Sequence, residues 1–123
     1  MKKVDKWSSI TTPNDAAVDR SMLTAISNGK ANIERDLVTL FRRLNEEDVE
    51  ILQKAIHDGD MAGAVHASHR ISGASSMIGA SGLAAVCERL EAASRANDID
   101  SVRANMSAFQ QEVERVYAYF DAQ

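Results

Sequence analysis

The last part of the sequence carries an apolar repeat that strongly constrains the fold. Between residues 98 and 120, apolar side chains recur at alternating spacings of three and four, at Ile99, Val102, Met106, Phe109, Val113, Val116 and Phe120. This spacing, with a mean of about 3.5 residues, places them on one face of a helix. It indicates a bundle core rather than an intermolecular coiled coil, because the repeat is short and other amphipathic segments need partners.

Four further segments have helical periodicity, and none shows the alternation typical of strands. The expected helices cover residues 16–27, 30–59, 60–78 and 81–96, with Asp60 and Ser81 as N-caps. A cap-like sequence at Asn45 predicts a break in the second helix. The sequence therefore predicts an all-α domain, an up-down antiparallel four-helix bundle with an additional short N-terminal helix. We expect residues 16–123 to form this domain and residues 1–15 to be a polar linker.

The composition and charge of the chain restrict the classes of partner that it can bind. The 123 residues carry a net charge of −4, and the basic residues are spread along the chain, which argues against nucleic acid or an anionic membrane as a partner. No apolar run is long enough to span a bilayer, and the N-terminal stretch lacks the apolar block of a signal peptide. The single cysteine, Cys87, fits a buried reduced thiol. We expect a cytoplasmic monomer.

The third predicted helix has an unusual solvent face. Its core face is formed by Ala64, Ala67, Ile71, Ala74 and Ile78. The opposite face holds His66, His69, Gly73 and Ser76, with Arg70 and Ser72 at its edges. A solvated helix face usually carries Lys, Glu, Arg and Gln, which are good helix formers. The small neighbours of His69 therefore indicate a surface that another protein approaches closely.

The position of Gly73 explains how such an approach is possible. It lies one turn after His69, where it removes a side chain that would shield the imidazole. An exposed imidazole is largely neutral near neutral pH and offers a nucleophilic nitrogen without a dedicated base. His69 is therefore a candidate nucleophile in a covalent transfer.

The residues around His69 resemble a known signature. The segment HRISGAS at residues 69–75, followed by Gly79-Ala80, Leu83 and Leu90-Glu91, is similar to the signature of histidine-containing phosphotransfer (Hpt) domains of bacterial phosphorelays. The resemblance implies a four-helix core. It also implies that His69 accepts a phosphoryl group from the aspartate of one receiver domain and passes it to the aspartate of another.

The same resemblance implies further properties. The domain would have no intrinsic cofactor and no autonomous kinase activity, and the partner receiver would supply Mg²⁺. Gly73, Arg70, Ser72, His66 and Ser76 would support the phosphoryl site or receiver docking. The family often has lysine where this sequence has Ser72, so we expect Arg70 to supply the cation; loss of Arg70 would then shorten the lifetime of phosphorylated His69.

Three alternatives remain open at the sequence level. The chain is also similar to the phosphotransfer domain of a chemotaxis kinase, which an attached ATP-binding domain phosphorylates. A helical interaction module without phosphorylation is a second possibility. A metal site on His66 and His69 is a third, disfavoured because further ligands at suitable offsets are missing. The polar N-terminal stretch fits the C-terminal module of a hybrid sensor kinase as well as a free-standing protein.

Overall fold

The computed structural model describes residues 17–123, and five helices account for most of them. They are α1 (Arg20–Ser27), α2 (Ala31–Asp58), α3 (Met61–Met77), α4 (Ser81–Arg95) and α5 (Ile99–Asp121). No strand occurs within this range. The short connections make consecutive helices antiparallel, which confirms the predicted bundle with its short N-terminal helix. The predicted linker at residues 1–15 lies outside the described residues.

Aspartates begin three of the helices. Asp19, Asp60 and Asp98 each precede a helix and accept a hydrogen bond from a backbone amide in its first turn, at 2.9–3.1 Å. Such caps satisfy amides that have no partner inside the helix. The prediction for Asp60 is confirmed.

Two predicted helix starts are wrong. α1 begins at Arg20 rather than in the preceding turn, because Asp19 takes the cap position and turns the chain there. Ser81 is the first residue of α4 and not its cap; Ala80 holds the cap position, without a side-chain hydrogen bond. Both predicted starts lie within a few residues of the observed ones, because sequence patterns define the end of a helix only approximately.

The predicted break in α2 is also wrong, because the helix continues through Asn45. The Asn45 side chain is buried and its amide donates a hydrogen bond to the Tyr117 hydroxyl of α5, at 2.9 Å. The Arg42 guanidinium stacks over the same tyrosine ring, 4.6 Å from its centre. Asn45 therefore joins two helices and does not cap one.

The apolar repeat of α5 forms one wall of the core, as predicted. Val102, Phe109, Val116 and Phe120 are buried, and the other repeat positions are half-buried. Leu52 of α2, Ile71 of α3 and Leu83, Val86 and Leu90 of α4 complete the centre. Within residues 17–123, no helix combines the length and apolar character needed to cross a membrane.

Small residues bring α3 and α4 together as a tight hairpin. Ala64, Ala67, Ser68 and Ser75 of α3 are fully buried, and these two helices share the most extensive packing of the bundle. Gly79 makes the turn between them with a positive φ of 82°, which glycine adopts without strain. Its carbonyl accepts a hydrogen bond from the Asp19 amide at 2.7 Å, so the start of α1 is fixed to this turn.

Candidate functional site

His69 projects from the middle of α3 into solvent. Its side chain is 73% exposed, while the core residues on the opposite face of the helix are buried. The ring nevertheless has a defined contact, because Nδ1 lies 3.1 Å from Oε1 of Glu91 on α4. One edge of the imidazole is therefore held by the neighbouring helix, and the ring remains open to a partner.

Glu91 is much less exposed than the histidine it contacts. Its side chain is 16% exposed, and its second oxygen, Oε2, accepts hydrogen bonds from Arg95 Nη2 at 2.7 Å and from Arg95 Nε at 3.3 Å. The Arg95 guanidinium lowers the pKa of the Glu91 carboxyl, partial burial opposes this effect, and His69 lowers the pKa further. Glu91 is therefore a carboxylate at neutral pH.

The contact with Glu91 determines which nitrogen of His69 can react. A carboxylate accepts hydrogen bonds but does not donate them, so Nδ1 of the neutral ring carries the proton. The lone pair then lies on Nε2, for which no hydrogen-bond partner occurs within the described residues. When the ring is neutral, the arrangement presents an oriented nucleophile to solvent.

Gly73 lies next to His69 on the exposed face, as predicted. A Cβ atom built on it would meet nothing within 4 Å, so packing inside this domain does not require glycine there. His66 and Ser76, the other two residues predicted for this face, are also exposed. The structure thus brings four of the predicted site residues onto one surface.

The structure places the other two predicted site residues elsewhere. Ser72 is only 7% exposed and its hydroxyl points at the Ala84 carbonyl of α4, at 3.4 Å, so it contributes to helix packing and not to the exposed surface. Arg70 is exposed, but its Nε donates to Asp48 Oδ1 on α2 at 3.0 Å. Its guanidinium is thus engaged on the side of α3 that faces α2, whereas Glu91 holds the ring from α4.

The other potentially reactive groups within residues 17–123 are metal-ligating side chains and the Cys87 thiol. No group of three or more His, Cys, Asp or Glu side chains is close enough together to hold a metal ion. Burial raises the pKa of the Cys87 thiol to about 12, which leaves it protonated and unreactive at neutral pH. Neither offers an alternative reactive centre to His69.

Sequence reasoning did not assign a role to Glu91 or Arg95. Glu91 belongs to the Leu90-Glu91 motif, and the sequence does contain a signal for its position. In an antiparallel hairpin with a turn near Gly79, a residue about ten positions before the turn lies opposite one about ten positions after it. That symmetry places His69 near the level of Glu91, and the helical spacing of four then adds Arg95.

Comparison with known proteins agrees with this geometry. A family profile described as Hpt domain matches residues 36–119, which is most of the chain. The chain belongs to the Hpt family. This membership confirms the prediction of a histidine phosphotransfer intermediate in a phosphorelay, and it implies receiver domains of response regulators as partners.

A solved structure has the same fold as this Hpt domain. It is histidine-containing phosphotransfer protein B (HptB) from Pseudomonas aeruginosa PAO1, with a TM-score of 0.78 and 23% sequence identity. The match covers 86% of this chain and 93% of that one. A search of curated protein sequences gives no match.

Proposed function

We propose that His69 is the phosphoacceptor of this Hpt domain and that its Nε2 atom forms the bond to phosphorus. The observation that carries the proposal is the contact between His69 Nδ1 and Glu91, which directs the lone pair of an exposed imidazole toward solvent. Gly73 supports it, because the absent side chain leaves room beside the ring. Family membership supplies the class of reaction.

The transfer step follows from this geometry. The Nε2 lone pair attacks the phosphorus of a receiver phospho-aspartate, the N–P bond forms and the P–O bond to the aspartate breaks. The bonding electron pair returns to the aspartate carboxylate. Positive charge develops on the ring during attack, and the Glu91 carboxylate stabilises it through the Nδ1 proton. Transfer to a second receiver reverses these steps with a different aspartate.

We assign the Mg²⁺ of the reaction to the receiver. Phosphoryl transfer needs positive charge near the equatorial oxygens of the phosphoryl group. On this chain, the carboxylate nearest to His69 already divides its oxygens between the imidazole and the Arg95 guanidinium. The Hpt domain therefore contributes an oriented nucleophile, and the partner contributes the metal.

An apolar groove beside the site provides a docking surface for the receiver. It lies between α1, α2 and α3, and its exposed large side chains are Ile26, Leu40, Leu44 and Met77. Gly73 lies between His69 and Met77 on the helix surface, so the groove and the imidazole form one continuous face. Exposed apolar side chains gathered in one place are typical of protein interaction sites. We propose that the receiver covers this groove while its aspartate reaches His69.

The remaining expectations belong to the same proposal. We infer that the domain acts as a monomer in the cytoplasm, with no direct membrane contact, and has no kinase activity of its own. Its position at the end of a hybrid sensor kinase stays a prediction. The closest rival, phosphorylation by an attached ATP-binding domain, uses the same histidine and differs in the phosphoryl donor.

The proposal is tested by phosphoryl transfer from labelled receivers. Wild type and His69→Gln are incubated with a panel of phosphorylated receiver domains and Mg²⁺, and the acid lability of the label on the Hpt domain is measured. We expect acid-labile label on wild type and none on His69→Gln. His57→Gln is the matched control, since it removes an exposed imidazole in the last turn of α2 that has no part in this surface, and it should be labelled like wild type.

Two results would contradict the proposal. Label retained by His69→Gln would place the acceptor elsewhere, and absence of label with every receiver would remove the relay function. The docking surface is tested separately with Leu40→Glu, which we expect to weaken receiver binding about tenfold or more by placing a charge in an apolar contact. Gln111→Glu adds the same charge on an exposed position of α5 and should leave binding unchanged.

A further inference from the structure

The two oxygens of the Glu91 carboxylate have different partners. Oε1 faces His69 Nδ1 at 3.1 Å, and Oε2 is bound by two nitrogens of Arg95. Arg95 follows Glu91 by four residues on α4, so this ion pair is built within one helix and needs nothing from α3. His69 therefore meets a carboxylate whose orientation is already set.

We propose that Arg95 is a positioning residue for phosphotransfer, which fixes the Glu91 carboxylate so that it holds the proton on His69 Nδ1 and leaves Nε2 free to attack. This inference rests on the proposed role of His69. It gives Arg95 an indirect function, exerted through Glu91 on the tautomer and orientation of the ring.

Glu91 needs such a constraint because of its own flexibility. The terminal torsion of a glutamate is broad, so the carboxylate plane of an unrestrained side chain rotates easily. The contact with His69 restrains only Oε1, and it does so through an imidazole that is itself 73% exposed. The planar guanidinium, bound to Oε2 through Nε and Nη2, restricts the carboxylate plane and directs Oε1 at the histidine.

A purely structural role for Arg95 would appear as an effect of its substitution on the stability of the domain. Its side chain is 64% exposed, and both of its hydrogen bonds within the described residues go to Glu91. Exposed pairs of this spacing add little to the stability of a folded domain. A substitution of Arg95 should therefore change the state of His69 and the transfer rate while the domain unfolds at the same denaturant concentration.

The test combines NMR with transfer kinetics on Arg95→Ala, Glu91→Ala and the double variant. In ¹⁵N spectra of the neutral ring, wild type should show mainly the tautomer with the proton on Nδ1, and both single variants should show less of it. We expect Glu91→Ala to slow phosphoryl acceptance about 10- to 100-fold and Arg95→Ala about 3- to 10-fold, since loss of a partner that orients a reactive imidazole has effects of this order. Arg95→Lys, which keeps the positive charge but places its donors on a single nitrogen, should fall between wild type and Arg95→Ala.

The double variant decides whether Arg95 acts through Glu91. If it does, removal of Arg95 from Glu91→Ala should cause no further loss of rate. A further loss would overturn the proposal and indicate direct contact between Arg95 and the receiver. An unchanged tautomer ratio in Arg95→Ala would also overturn it.

Arg89→Ala is the matched control. This arginine lies on the same helix but its Nε donates to Asn105 of α5, so both readouts should match wild type. Failure of the proposed function would look different, because wild type itself would then take no label on His69. The NMR comparison does not depend on labelling and still tests Arg95 in that case.

Discussion

The two faces of α3 are both built from small residues, but for opposite reasons. The buried face carries Ala64, Ala67, Ser68 and Ser75, which let the backbone of α3 approach α4 closely. The exposed face carries Gly73 and Ser76 beside His69, and a Cβ added at Gly73 would touch nothing within the domain. A small side chain therefore serves internal packing on one face and access for a partner on the other.

Ser68 shows how the buried face accommodates a polar group. The Ser68 hydroxyl donates to the Ala64 carbonyl of its own helix at 2.6 Å, which satisfies it without a partner on another element. Serine thereby behaves as a small residue that fits where α3 meets α4. Small residues such as serine and glycine lower the helix propensity of both faces of α3. Tertiary packing compensates for this loss on the buried face only.

The largest expected effect comes from enlarging the buried face. Ala67→Leu should destabilise the domain by about 1–3 kcal/mol, because added methylenes in a close-packed interface force the helices apart. Urea unfolding followed by circular dichroism measures this effect. Ala62→Leu makes the same change at an exposed position of α3 and should have little effect; equal losses in the two variants would mean that the faces do not differ as described.

Enlarging the exposed face should slow transfer without destabilising the fold. Gly73→Gln should slow phosphoryl acceptance about tenfold, corresponding to about 1.4 kcal/mol, because its side chain occupies the space through which a receiver reaches His69. Initial rates with a phosphorylated receiver measure this effect. Ala104→Gln on α5 is the control, and an unimpaired Gly73→Gln would show that the open space is not used.

A smaller change at the same position should stabilise the domain. Gly73→Ala should raise the free energy of unfolding by up to about 1 kcal/mol, since alanine is the better helix former and its Cβ meets open space. Gly79→Ala provides the contrast. It should destabilise the domain, because the turn requires a positive φ and a Cβ there would collide with the Asp19 backbone.

The smallest effect is expected at Ser72, which the sequence placed in the site. Ser72→Ala should change the free energy of unfolding by less than about 1 kcal/mol, because its 3.4 Å contact with the Ala84 carbonyl is long for a hydroxyl. Phosphoryl acceptance should be unchanged. A slower transfer with intact stability would return Ser72 to the functional surface.

Periodicity and local chemistry allowed much of the molecule to be predicted. The repeat of α5 predicted its buried seam, and the angular position of Gly73 predicted its exposure beside His69. These features depend on one helix at a time. The errors at Asn45 and Ser72 arose because each side chain is used between helices, by Tyr117 and by α4. The sequence pattern of one helix does not show which neighbouring helix lies close enough to bury a residue at the edge of its exposed face.

The prediction of which cation lies near His69 is limited in the same way. Arg70 is adjacent in sequence, yet successive helical residues point about 100° apart, and its guanidinium pairs with Asp48 on α2. Arg95 is distant in sequence but enters the site through Glu91. Pairing between helices, rather than sequence adjacency, determines which charges surround the imidazole.

The exposure of His69 also affects how long a phosphoryl group would remain on it. A ring that is 73% exposed is open to a receiver, and it is equally open to water. A phosphoryl group on Nε2 would therefore face hydrolysis throughout its residence on the domain. Such a site suits brief transit between partners better than storage, so the duration of the signal would be set by the receivers and by how quickly they meet this surface.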